Sequence, residues 1–254
     1  MSKAGVVLLT LAVLSTGTGT LEAQRRRQQS IENVEQFNVP YDGTFIFLRL
    51  RYTPLQSYGR RGFEQFWDHD YPRAEQHLST MLEELTLIEP NRGSTILAAD
   101  DPELFKFPLA YISEPGHWSL TDEEAENLRN YVLKGGFLIF DDFSGGDWFN
   151  FEQKITQVLP EAVVVEMDAS HQIFHSFYDI DRIDTFVHPY YGLQSVFYGV
   201  FEDNDPSKRL LAIVNYNNDI GESWEWSDSG WIPIDITNDA YQLGINYIVY
   251  SMAH

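Results

Sequence analysis

The sequence predicts an α/β domain built on a mostly parallel sheet with helices on both faces. Three observations point to it. Short runs with little or no polarity, such as Phe137-Leu138-Ile139-Phe140, read as strands buried on both faces. Between them lie amphipathic stretches at helical spacing. The order is strand, helix, strand, strand, helix, strand, helix, strand, the grammar of parallel sheets.

Each element has its own signal. Phe45 to Leu50 is the first apolar run, followed by a loop rich in glycine and tyrosine. Leu78, Met81, Leu82 and Leu85 form a helical stripe, with Pro72 near its start, where proline is tolerated. Asn91-Arg92-Gly93 is a turn before a strand at Thr95–Leu97. Leu109–Ile112 is a third strand, ending at Ser113-Glu114-Pro115-Gly116-His117. Thr121 and Glu124 have capping-box spacing, Ala125, Leu128 and Val132 give the buried stripe, and Gly135-Gly136 ends the helix. The fourth strand, Phe137–Phe140, runs into Asp141-Asp142. Trp148, Phe151, Ile155 and Val158 trace a helix that Pro160 stops, and Ala162–Val165 is a fifth strand, expected beside the fourth. Ser195–Phe201 and Leu210–Asn215 suggest a hairpin on the sheet edge. The last helix, about Asp239 to Met252, is apolar almost all round and should be buried. No internal repeat is present.

The N-terminus has the layout of a secretory signal peptide. Lys3 is the basic region, Ala4–Leu14 the apolar core, and Ser15–Ala23 a small-residue stretch ending at the expected cut. Leu21 is large for its position, and Arg25, Arg26 and Arg27 follow closely; left uncut, Ala4–Leu21 would be a weakly hydrophobic anchor. The expected organisation is a signal peptide over 1–23, a polar tether over 24–43 and one domain over 44–254. The expected location is periplasmic or secreted, with membrane contact only if the first segment is retained.

The 254 residues carry a formal net charge of −21, which disfavours nucleic acid as a partner. There is no cysteine, so disulfides and thiolate chemistry are excluded. No phosphate loop, dinucleotide fingerprint or Gly-x-Ser-x-Gly elbow occurs. Asp203-Asn204-Asp205 lacks the glycine and distant glutamate of a calcium loop and reads as a turn.

Ligands of open parallel sheets bind beyond the carboxyl ends of the strands. The candidate binding residues there are Glu114 and His117, Asp141 and Asp142, and Asp168 and His171, with Trp224 from the tryptophan-rich loop 217–234 as a platform or lid. Asp141, Asp142 and His171 could hold a divalent cation, the one cofactor the sequence suggests. Against this, an aspartate after a strand often only caps backbone amides, and histidines among aromatics, such as His171 and His175, are commonly packed. Trp224 could equally cover the sheet.

Several motifs together resemble a bacterial family. They are Phe47-Leu48-Arg49-Leu50-Arg51-Tyr52, Tyr111-Ile112-Ser113, Gly116-His117, Leu120-Thr121-Asp122-Glu123-Glu124, Leu128-Arg129-Asn130-Tyr131-Val132, Gly135-Gly136-Phe137-Leu138, Asp141-Asp142, His171-Gln172-Ile173-Phe174, Tyr198-Gly199 and Leu243-Gly244-Ile245-Asn246. From Thr44 onward the chain is similar to the domain-of-unknown-function family numbered 4159. That resemblance implies a three-layer α/β/α sandwich, a cysteine-free branch of the class I glutamine-amidotransferase-like fold, which is also flavodoxin-like in layout. The family's usual proline after the histidine is Gln172 here. In amidotransferases the nucleophilic cysteine follows the strand that resembles Phe137–Phe140, where this chain has Asp141-Asp142.

The leading functional expectation is an exported domain that binds a small molecule, a glycan or an envelope protein at the strand rim. The alternatives are a hydrolase of envelope or extracellular material using Asp and His at that rim, and an inert interaction module.

Overall fold

A computed structural model describes residues 38–55 and 65–254 of the chain. The signal peptide and most of the tether lie outside the described residues. The last part of the tether segment is built into the domain. Asn38 exchanges side-chain hydrogen bonds with the Ile96 backbone, and Val39 runs beside Ser94 and Thr95.

The strands are β1 (Phe45–Arg51), β2 (Thr53–Pro54), β3 (Pro90–Ala98), β4 (Leu109–Ser113), β5 (Trp118–Ser119), β6 (Phe137–Phe143), β7 (Val164–Glu166), β8 (Val196–Phe201) and β9 (Leu210–Tyr216). The helices are α1 (Arg73–Leu85), α2 (Asp122–Leu133), α3 (Trp148–Val158), α4 (Ile220–Glu225) and α5 (Ile234–Ala253). Among the described residues seven strands form one sheet, in the order β3-β1-β4-β6-β9-β8-β7. β3, β1, β4, β6 and β9 are parallel; β8 is antiparallel to both of its neighbours. β2 and β5 form a small separate ribbon. This is a mixed, mostly parallel sheet flanked by helices, a three-layer α/β sandwich.

Local signals fix most elements. Thr121 and Glu124 make the reciprocal capping box of α2, satisfying two amides that the first helical turn leaves free. Phe151, Ile155 and Val158 turn α3 toward the core. In α1, Leu78 and Leu82 are buried, while Leu85, its last residue, is exposed. α5 is buried on most sides and starts five residues earlier than its apolar run, just after Pro233. No helix among the described residues is long and apolar enough to cross a membrane.

Two placements correct the sequence reading. The hairpin forms, but β9 is not peripheral: it lies against β6, in the place expected of residues 162–165. β9 is apolar on both faces and buried over its first six residues, so the sheet interior is where it loses most apolar surface to water. β7, half-exposed and only three residues long, pairs antiparallel with β8 at the edge. The loop expected over 217–234 also contains the short helix α4.

Candidate functional site

The C-terminal ends of β1, β4 and β6 open on an acidic crevice. Its floor is Asp141, fully buried near the end of β6. Asp141 Oδ2 accepts hydrogen bonds from Tyr111 Oη (2.8 Å) and from the Ile220 and Gly221 amides (3.0 and 3.1 Å). Asn215 Nδ2 donates to Oδ1 at 3.0 Å, and Tyr247 Oη holds that asparagine at 2.9 Å. Asp141 therefore caps the start of α4, a structural task. Burial pushes its carboxyl up to about 6, with the neighbouring Asp142 charge adding and the donated hydrogen bonds opposing.

Asp142 follows in the left-handed region, φ 60°, where the β6–β9 register shifts. That conformation carries its carboxylate to the mouth of the crevice. There Asp142 Oδ2 lies 2.8 Å from Nδ1 of His69. The same imidazole nitrogen is 3.3 Å from Glu114 Oε1 and 3.9 Å from Asp70 Oδ1. The hydrogen bond to Asp142 raises His69 to about 10 against its partial burial, and the Asp70, Asp142 and Glu114 charges add to it. At neutral pH this imidazole is a cation among carboxylates.

Buried polar groups fasten the frame. Arg49, in β1, is 1% exposed and pairs with the equally buried Glu75 of α1. Its Nη1 donates to both the Trp67 and His69 carbonyls, at 2.9 and 2.7 Å, so β1 pins the segment that presents His69 and Asp70. Tyr52 Oη donates to the Ser113 and Glu114 carbonyls at 2.9 and 2.8 Å. Glu114 itself sits at φ 48°, its amide donating to the Asp141 carbonyl. Gly221 is required by close approach: a Cβ there would lie 2.5 Å from Asp70 Oδ2 and 2.7 Å from Tyr111 Oη.

Asp70 differs from every other carboxylate in the crevice. It is 5% exposed, and no N–H or hydroxyl donates to either side-chain oxygen; a hydrogen bond with the Glu222 carboxyl needs one of the two acids protonated. Burial pushes its carboxyl well above the usual carboxylate range; Asp142 adds to the shift, while His69 and Arg49 oppose it. Glu222 and Glu225 of α4 come within 4.8 Å of it, ligand atom to ligand atom. Burial also raises Glu222. Asp219 is buried as well, accepting the Glu222 amide at 2.8 Å.

The expected residues divide. Glu114, His117, Asp141 and Asp142 come to this rim, His117 stacked on Phe66 with ring centroids 3.8 Å apart. His171 does not join Asp141 and Asp142 in a shared cation site. β7 stands three positions from β6, about 14 Å at ordinary strand spacing. The chain then turns back, so that His171 packs on Phe201 and Tyr250, beside the residue that begins β9. Its Nδ1 accepts the Ile173 amide at 3.1 Å. Asp168 accepts the Ser170 amide and lines the same cavity as His171, about 550 Å³ in volume, with Lys208, Arg209 and His254. Trp224, in α4, is 1% exposed and packed against Phe47 and Tyr111, its indole N–H donating to the Ala240 carbonyl at 3.0 Å. It is core, not platform.

His69, Asp70 and Glu222 were missed. The signal was there: Trp67-Asp68-His69-Asp70 lies in the connection leaving the first parallel strand, which by the strand-end rule opens on the same rim.

The fold and rim define a layered α/β domain with an acidic, partly enclosed crevice and no thiol. The model of a family described as "Domain of unknown function (DUF4159)" matches residues 47–252, and the chain belongs to that family. No curated protein matches the chain.

Proposed function

We propose that this chain is an exported binding domain, periplasmic or secreted, whose acidic rim receives a positively charged ligand. The observation that carries the reading is Asp70, a buried carboxylate with no hydrogen-bond donor. Burying such a group costs several kcal/mol unless a partner offsets it, and a cation is the partner the chemistry calls for. Around it the crevice offers Glu114, Asp142 and Glu222, all acceptors when ionised. Export rests on the Lys3, apolar-run, Ala23 layout.

Hydrolysis is less well supported. His69 is the imidazole beside Asp142, and at neutral pH it holds its proton, so it is a poor general base. The nearby hydroxyl, Ser113 Oγ, is fully buried, 3.5 Å from Asp142 Oδ2.

The test is a melting panel with spermidine, agmatine and tetramethylammonium, against glucose and citrate. A cation held at about 100 times its Kd stabilises by about 2.7 kcal/mol, which is roughly 5–10 °C for a domain of this size. At least one cation should raise the melting temperature of the wild type and not of Asp70→Asn. A response to citrate alone, or equal responses in the variant, would overturn the binding reading. N-terminal sequencing of protein recovered outside the cytoplasm should give Gln24; an intact Met1 there would overturn cleavage.

A further inference from the structure

We propose that His69, Asp70, Glu114 and Asp142 form a site for one divalent transition-metal ion. The proposal rests on the reading of this rim as a cation-binding crevice and names its inorganic occupant. Two independent observations carry it. The first is spacing. An ion holding ligands at about 2.1 Å sets their donor atoms about 3–4.2 Å apart, from neighbouring to opposite positions. His69 Nδ1 stands 2.8, 3.3 and 3.9 Å from oxygens of Asp142, Glu114 and Asp70, so small side-chain movements suffice. One donor atom each from His69, Asp70 and Asp142 falls within 4.8 Å of the others.

The second observation is Asp70. Both of its oxygens are buried, no N–H or hydroxyl donates to either, and Oδ1 is directed toward the His69 nitrogen. Elsewhere in the crevice the fold supplies donors readily: Asp141 has four and Asp219 has its helix amide. At Asp70 the fold places no such donor, only the Glu222 carboxyl and the His69 imidazole at 3.9 Å.

The donor set narrows the metal. One imidazole with three carboxylates suits Mn²⁺ or Zn²⁺, since imidazole favours the transition metals and carboxylates the harder ions. Access comes from the half-exposed edge of His69, beside a cavity of about 320 Å³ lined by Gln65, Phe66, Asp68, His69 and Glu114. The ligands are also held from behind. Arg49 grips the His69 carbonyl and Tyr52 the Glu114 carbonyl, the kind of outer support that orients metal ligands.

The experiment titrates Mn²⁺ into the purified, metal-stripped full chain, following the electron paramagnetic resonance signal of free Mn²⁺; Zn²⁺ is then added as competitor. The wild type should bind one equivalent, which Zn²⁺ displaces. Asp70→Asn and His69→Gln should each weaken binding at least tenfold, while Asp184→Asn, on the exposed Arg182 pair, should match the wild type. Melting curves without metal guard against misfolding: Asp70→Asn should melt no lower than the wild type. Absence of stoichiometric Mn²⁺ binding, or unchanged binding in a folded Asp70→Asn, overturns the metal site. If Mn²⁺ fails while spermidine or agmatine still stabilises the wild type, the metal inference alone falls. If all fail, the cation-binding reading falls with it.

Discussion

The two ends of the sheet handle charge in opposite ways. At the start of the parallel strands, around the 550 Å³ cavity, the cations are already committed. Arg209 donates to the Val132 and Gly136 carbonyls where α2 ends, and Lys208 pairs with Asp203, while His171, held low by burial, accepts a backbone amide as an uncharged ring. At the other end the cavities are smaller and the carboxylates exceed their donors. Size therefore does not mark the site. A roomy pocket whose polar groups have partners gains little from a ligand, whereas a narrow crevice with an unpartnered buried carboxylate gains much.

Four outcomes would break or sharpen this contrast. The largest concerns the frame of the acidic end. Glu75→Ala leaves Arg49 buried without its countercharge and should cost about 3–5 kcal/mol in urea unfolding. A loss below about 1 kcal/mol would mean that the charges at that end are better solvated than their burial implies.

Next comes Asp70→Asn, expected to stabilise by about 1–3 kcal/mol in the absence of ligand at pH values where the wild-type carboxyl is ionised, because burial disfavours that ionised form. The pH dependence follows. An acid whose pKa rises on folding favours the folded state below its unfolded value, near 3.8, and that contribution is lost as pH climbs through the raised value. Wild-type stability should therefore decline from about pH 4 upward, with Asp141, raised to about 6, contributing to the same slope. Asp70→Asn should flatten it; identical slopes in the two proteins would contradict the assignment.

A smaller effect is read at His69. Its raised pKa contributes stability that is complete below about 6.5 and disappears as pH rises through about 10. In Asp142→Asn the imidazole should titrate well below the wild-type value by NMR. An unshifted titration would remove Asp142 as its main partner.

The smallest effect compares the ends directly. In a double-mutant cycle, Asp142→Asn and His171→Gln should add within about 0.5 kcal/mol, since the two side chains lie at different ends of the sheet. Coupling larger than that would join them after all.

The strands, the capped helix α2 and the buried α5 were legible because their signals are local: apolar runs, period and capping chemistry. The roles of Asp141 and Asp142 were half legible. Adjacent residues on a strand had to part, but only the left-handed turn at Asp142 decides which one reaches the rim. Strand order was the costly omission. Nothing local distinguishes residues 162–165 from 210–215 as the neighbour of β6, because both are apolar runs of strand length. Burial on both faces settled it, and that choice carried His171 away from the aspartates.

The sequence by itself determined an acidic, thiol-free chain with a layered α/β grammar, and it determined that chemistry belongs where parallel strands end. Only the tertiary structure decided which histidine stands there and which carboxylate lacks a partner. His69 and Asp142 are 73 positions apart, and Asp70 and Glu222 are farther still. Their meeting depends on Arg49 pinning one connection and on Gly221 admitting another, a long-range packing outcome that no local pattern encodes.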